Sequence, residues 1–118
     1  RVADQYHDEY VRPQESGTKG GLRWWTVADS AGTGLTILAD APFSASALPY
    51  ATADLDVSNF PPQQHSGTLV ARDATFVNFD LLQSGLGCID SWGALPEKQF
   101  RVPYGDYTFR FMLKPTVK

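Results

Sequence analysis

An antiparallel all-β fold, a sandwich with at most one short helical turn, is the architecture this sequence predicts, on three observations. Several short stretches alternate apolar and polar side chains with the period of two that a half-buried strand requires. Turn-forming residues interrupt those stretches every eight to twelve positions or so, the rhythm of a sandwich and not of βαβ units. Segments able to form a helix are scarce. With 118 residues, 42% of them hydrophobic and 13% aromatic, the chain can bury one modest core, and no second core is expected.

Residues 1–20 are polar and irregular, with Pro13, Gly17 and Gly20 as breakers, and read as an extended arm that leads into a sandwich domain over residues 21–118. From Leu22 the pattern becomes strand-like. Leu22, Trp24 and Thr26 share one face while Arg23, Trp25 and Val27 share the other, so the strand is expected to be covered on both sides. The turn-rich DSAGTG (29–34) then leads into LTILA (35–39), which together read as a β-hairpin with a loop longer than the tightest kind. Pro42 and Pro49 bracket a further extended piece, FSASAL (43–48).

ATADLDV (51–57) allows a single helical turn, with Thr52 as N-cap and Asp54 suited to a helix N-terminus. FPPQQHSG (60–67) is too short for a polyproline ligand and reads as a surface loop. Two more strands are expected at TLVA (68–71) and ATFVNFDLL (74–82), the second with a stripe of Thr75, Val77, Phe79 and Leu81. A last strand, YTFRFML (107–113), alternates Tyr107, Phe109, Phe111 and Leu113 against Thr108, Arg110 and Met112.

Composition excludes several roles. A net charge of −3 supplies no basic footprint for nucleic acid. No apolar run approaches the ~20 residues that span a bilayer, and the start RVADQYHDEY is not a signal peptide, so a soluble piece is expected. The single cysteine, Cys88, rules out an internal disulfide and a thiolate-rich metal centre. With no flanking base or cation it reads as a small buried hydrophobe, not a nucleophile. His7 and His65 lack zinc-ligand spacing. No serine sits in a GxSxG elbow, and GTKGG (17–21) lacks the spacing of a phosphate loop.

The stretch most suggestive of function is GLGCIDSWG (85–93). Gly85, Gly87 and Gly93 open backbone conformations closed to other residues and allow close approach of main chain to a neighbour. Between them stands Trp92, next to Ser91 and Asp90. An exposed indole offers a flat apolar face and one N–H donor, the combination that stacks on the C–H face of a sugar. The competing reading is that Trp92 plugs a core and Ser91 makes a turn hydrogen bond.

PQESG (13–17), LRWW (22–25), GTGL (32–35), SALPY (46–50), NFDLLQSGLG (78–87) and DSWG (90–93) occur in order and at plausible spacings. Together they resemble the C-terminal, small-chain-like fifth domain of family 2 glycoside hydrolases, in particular the large multidomain bacterial β-galactosidases. The resemblance runs from about Gln5 to about Pro115. It implies one half of a galactose-mutarotase-like supersandwich, hence a fragment of a longer enzyme. It also implies that the catalytic glutamates and the ligands for magnesium and sodium belong to another domain, so residues 1–118 carry no catalytic residue, metal ligand or cofactor. The role implied for Trp92 is to line the aglycone side of the sugar pocket, with Asp90 and Ser91 shaping the loop. The family loop commonly reads GxGGDDSW, and this chain departs from it with Cys88 and Ile89 at the Gly and Asp positions. Arg23 and Glu15 resemble polar positions near strand crossings, suited to a salt bridge or loop anchor.

The residues by themselves agree that the chain is not a complete glycosidase. A retaining enzyme needs two carboxyl groups ~5 Å apart, and the available pairs, Asp54 with Asp56 and Asp8 with Glu9, read as solvated charge. Three functions stay open. The first is a noncatalytic domain of a β-galactosidase, cytoplasmic or periplasmic, that meets a galactoside sugar through Trp92 and packs on the remaining domains of its parent. The second is an autonomous carbohydrate-binding module. The third is a structural or subunit-interface domain, and a half-domain with an uncovered sheet could also form a homo-oligomer.

Overall fold

Alternation of side chains does most of the work in this chain, and the computed structural model, which describes residues 1–56, 65–85, 87 and 93–117, is an all-β structure accordingly. Strands β1 (Lys19–Ala28), β2 (Gly34–Leu48), β3 (Phe76–Asp80) and β4 (Phe111–Thr116) form one antiparallel sheet. Its order is β1-β2-β3, and β4 pairs with β2 as well. The only α-helix among the described residues is the single turn α1 (Thr52–Leu55).

The expected hairpin between β1 and β2 is present, and Asp29 closes it. Its carboxylate accepts the N–H groups of Ala31 and Thr33, each at 2.9 Å, and its own N–H donates to the Thr33 carbonyl at 2.9 Å. This is the local side-chain-to-backbone bonding that makes Asp a turn residue.

β2 is longer than the sequence suggests. Residues 35–39 and 43–48 belong to one 15-residue strand that passes through Pro42 without a break. A proline removes one N–H from the ladder but keeps an extended φ, so a long strand paired elsewhere along its length absorbs it. Along β2, Ile37, Phe43, Ala45 and Ala47 are buried on one face while Leu38 and Asp40 are exposed on the other. Burying Phe43 fully is worth about 2–3 kcal/mol relative to leaving it in water.

β4 pairs with the first part of β2, from Gly34 opposite Thr116 to Ala39 opposite Phe111, and Pro115 stands opposite Leu35. The sequence places this strand at 107–113, four residues too early. Residues 103–107 are instead held as a turn in which the Tyr107 hydroxyl donates to the Pro103 carbonyl. Likewise, residues 68–71 are not a strand. Ser66–Thr68 forms a 3-10 turn closed by the Thr68 N–H and hydroxyl on the His65 carbonyl, at 2.9 and 2.7 Å, and Val70 points into solvent. A third correction concerns β1, where Leu22, Trp25 and Val27 are half-buried but Trp24 and Thr26 are exposed, so the face that carries Trp24 is not covered along its length.

α1 starts one residue earlier than expected, with Ala51 and not Thr52 at the N-cap. Ala51 has no side chain to accept, and the Asp54 carboxylate reaches back to the Ala51 N–H at 2.8 Å instead. That is the acidic half of a capping box, and it also sets a negative charge in the first turn.

The described residues fall into two compact units. One comprises residues 1–22 and 45–79, and its core holds Ala45, Ala47 and Leu48 with the Tyr6 and Tyr50 rings 4.8 Å apart. The other comprises residues 23–44 and 80–118, where Phe43 packs with Phe109 at 6.3 Å between centroids and Phe109 with Phe111 at 5.3 Å.

Candidate functional site

The candidate site is the loop that leaves β3 and carries the DSW motif. Asp90, Ser91 and Trp92, together with Cys88 and Ile89, lie outside the described residues. Both limbs that flank them in sequence are described, and they are joined to each other.

Two glycines make the joint. The Gly85 N–H donates to the Phe100 carbonyl at 2.6 Å, and a Cβ added to Gly85 would lie 2.6 Å from the Phe100 Cβ. Gly87 is closer still to the opposite limb, since a Cβ there would stand 1.8 Å from the Ala94 carbonyl oxygen. No other residue fits at either place, because real side-chain carbons do not approach backbone within 3.0 Å. Gly93 has a different reason to be glycine. Its φ is +94°, with open space where a Cβ would project, so torsion and not crowding selects it.

The returning limb is braced further along. Lys98–Phe100 forms a 3-10 turn whose Phe100 N–H donates to the Glu97 carbonyl at 2.8 Å, and the Arg101 guanidinium donates to the Pro96 carbonyl. Gly87 and Ala94 are therefore in backbone contact.

Three further polar constellations lie in the unit built from residues 1–22 and 45–79. Glu15 anchors its segment through one carboxylate oxygen, Oε1, which accepts from the Ser46 hydroxyl at 3.0 Å and from Asn78 Nδ2 at 3.3 Å. Ser46 is buried, so this bond satisfies a hydroxyl that would otherwise be desolvated without a partner. The loop-anchor role expected of Glu15 is thus present. Its partners are 31 and 63 residues away in sequence, and no local signal points to them.

Asp54 and Arg72 form a two-point ion pair, with Nε 2.7 Å from Oδ2 and the second nitrogen on Oδ1. The Arg72 hydrogen bonds, followed by the Ala51 N–H, hold the Asp54 carboxyl below the usual carboxylate range, and the same pairing raises Arg72. A carboxylate so engaged is a structural brace with no free acid–base capacity near neutral pH. The Arg72 guanidinium also stands 5.9 Å from the centre of the Phe76 ring.

The third is a polar hollow lined by Tyr6, Asp8, Tyr50 and Ser66. The Ser66 hydroxyl donates to the Tyr10 carbonyl, and the buried Tyr6 hydroxyl has no partner among the described residues. Among the described residues no three His, Cys, Asp or Glu side chains gather as metal ligands would, and no helix is long and apolar enough to cross a membrane.

Residues 1–113 match the family described as Beta galactosidase small chain. The β-galactosidases of Priestia megaterium and of Streptococcus thermophilus are each 34% identical over 108 residues, which is 90% of this chain and 10% of theirs. The β-galactosidase of Photobacterium profundum is 30% identical over 117 residues, 95% of this chain and 10% of its own. The chain spans about a tenth of the length of these curated relatives. A match that runs through the anchored arm, the sheet and both limbs of the glycine loop places the chain in the β-galactosidase small chain family.

Proposed function

We propose that the chain is a noncatalytic domain of a β-galactosidase of glycoside hydrolase family 2, with an arm over residues 1–20 and a half-supersandwich over residues 21–118. The intact enzyme hydrolyses terminal β-D-galactosides with catalytic glutamates, magnesium and sodium held in another domain. This domain lends it a loop, and Trp92 lines the aglycone side of the sugar pocket while Asp90 and Ser91 shape the approach.

The observation that carries this reading is the pinned base of the loop. Gly85 against Phe100 and Gly87 against Ala94 fix the two ends of a segment that contains an indole, an acid and a hydroxyl. Chemistry of that kind recognises a sugar without entering proton transfer. The indole face stacks on ring C–H groups, and orienting the leaving group raises the fraction of bound substrate in a reactive pose. The family membership and the length of the relatives support the idea that the reacting groups lie elsewhere.

The test is Trp92→Ala in the parent enzyme. Loss of one aromatic platform is expected to raise KM for lactose, or to slow transfer of galactose to a sugar acceptor, by about tenfold, in line with 1–2 kcal/mol for a stacking contact. Turnover of an aryl galactoside with a good leaving group should change less. Unchanged kinetics with both substrates would remove the sugar-binding role and leave a structural domain.

A further inference from the structure

We propose that Arg101 is a positioning residue for the loop that carries Trp92. This deepens the sugar-binding reading and rests on it. Gly85, the first glycine of that loop, sits against two residues of the returning limb. Its N–H donates to the Phe100 carbonyl at 2.6 Å, and a Cβ added to it would lie 2.6 Å from the Phe100 Cβ and 3.4 Å from the Pro96 Cβ. Arg101 ties those two residues together, because its Nε donates to the Pro96 carbonyl while its own backbone follows Phe100 directly. The side chain thus closes the turn over residues 96–101 against which Gly85 packs.

Burial does little to hold this turn. Residues 97–101 are all exposed, Phe100 at 57%, so its shape depends on polar ties. Two of these are backbone bonds inside it, from the Phe100 N–H to the Glu97 carbonyl at 2.8 Å and from the Arg101 N–H to the Lys98 carbonyl at 3.3 Å. Neither reaches Pro96. The guanidinium bond does, and a hydrogen bond from a charged donor is roughly twice as strong as one between neutral groups. Without it the Pro96 side of the turn is released, and the Phe100 carbonyl that receives the Gly85 N–H is held less firmly.

The functional consequence runs through geometry. Gly87, two residues beyond Gly85, meets Ala94 of the returning limb, so a shift of the 96–101 turn is felt at both flanks of the DSW motif. A misplacement of about 1 Å costs up to ~100-fold in rate, and loosening one flank is a smaller disturbance, so a change of about threefold to tenfold is expected. It falls on KM for lactose more than on kcat, since orientation of the sugar is disturbed and not the reacting groups.

The test uses Arg101→Ala, Arg101→Lys and Trp92→Ala, singly and combined, in the parent enzyme. The readouts are steady-state kinetics with lactose and hydrogen exchange of the peptide that holds Gly85. Arg101→Ala should speed exchange at the Gly85 amide by about tenfold and raise KM by about threefold or more. Arg101→Lys keeps a charged donor and should restore most of both. Adding Arg101→Ala to Trp92→Ala should raise KM no further, because both act by one route. Wild-type exchange at Gly85 in Arg101→Ala overturns the inference. So does a full additional loss in the double variant, since Arg101 would then act by a route other than Trp92. If Trp92→Ala raises KM and Arg101→Ala does not, this inference alone fails. If Trp92→Ala leaves KM unchanged, the sugar-binding reading fails and this inference falls with it.

Discussion

Replacing Gly87 by alanine is the sharpest perturbation of the loop. A methyl group there would stand 1.8 Å from the Ala94 carbonyl oxygen and 2.8 Å from its carbon, against 3.4 Å for ordinary contact. The obstacle is backbone, so no side chain can swing aside and the two limbs must part by about 1.6 Å at the oxygen. Forced separation of packed elements costs about 1–3 kcal/mol, which should appear as a lower urea midpoint for the domain. Displacing a positioning loop by more than an ångström is worth up to ~100-fold in kcat/KM of the parent enzyme. Gly93→Ala is the companion, since its Cβ meets nothing and only the positive φ is strained, at a cost of about 1–2 kcal/mol. Both quantities are measured by urea titration and by steady-state hydrolysis of lactose. If Gly87→Ala left stability and kinetics at wild-type values, the limbs could not be in contact in solution and the pinned-loop reasoning would be wrong.

Two further outcomes test the braces around the other unit. Asp54 is held below its ordinary value of 3.8 in the folded chain, so its ionised form adds stability above that value and loses it as pH falls through the lower folded one. Urea midpoints should therefore decline below about pH 4 in the wild type and decline less in Asp54→Asn, which is already weaker at neutral pH. Glu15→Ala removes the acceptor of the buried Ser46 hydroxyl and should cost about 1–3 kcal/mol by thermal unfolding, whereas Glu15→Gln keeps an acceptor oxygen and should cost less.

The fold class was legible because strand periodicity is a local property, and the Asp29 turn and the one-turn helix were legible for the same reason. The bounds of β4 were not, because the alternation of Tyr107 and Phe109 continues that of Phe111 and Leu113, and only the Tyr107 bond to Pro103 shows where pairing stops. Pro42 looked like a boundary because the sequence does not say which N–H groups the sheet needs. Trp24 looked buried because an apolar side chain on a strand face does not reveal whether another layer lies over it. At the candidate site, the glycines were readable as points of close approach or positive φ, and the structure divides those reasons among Gly85, Gly87 and Gly93. The two ties of Glu15 were beyond reach of local pattern, since they join segments far apart along the chain.

Pro115 sits within β4 opposite Leu35, next to Lys114. An incoming strand that tried to extend the sheet at this rim would meet one missing amide donor and a cation that must be stripped of water. Runaway fibre growth by edge-on addition is thus blunted at the very strand whose flat side is greasy. The isolated domain should accordingly tend toward clumping face to face, reversible with mild detergent, and resist conversion to amyloid-like ribbons.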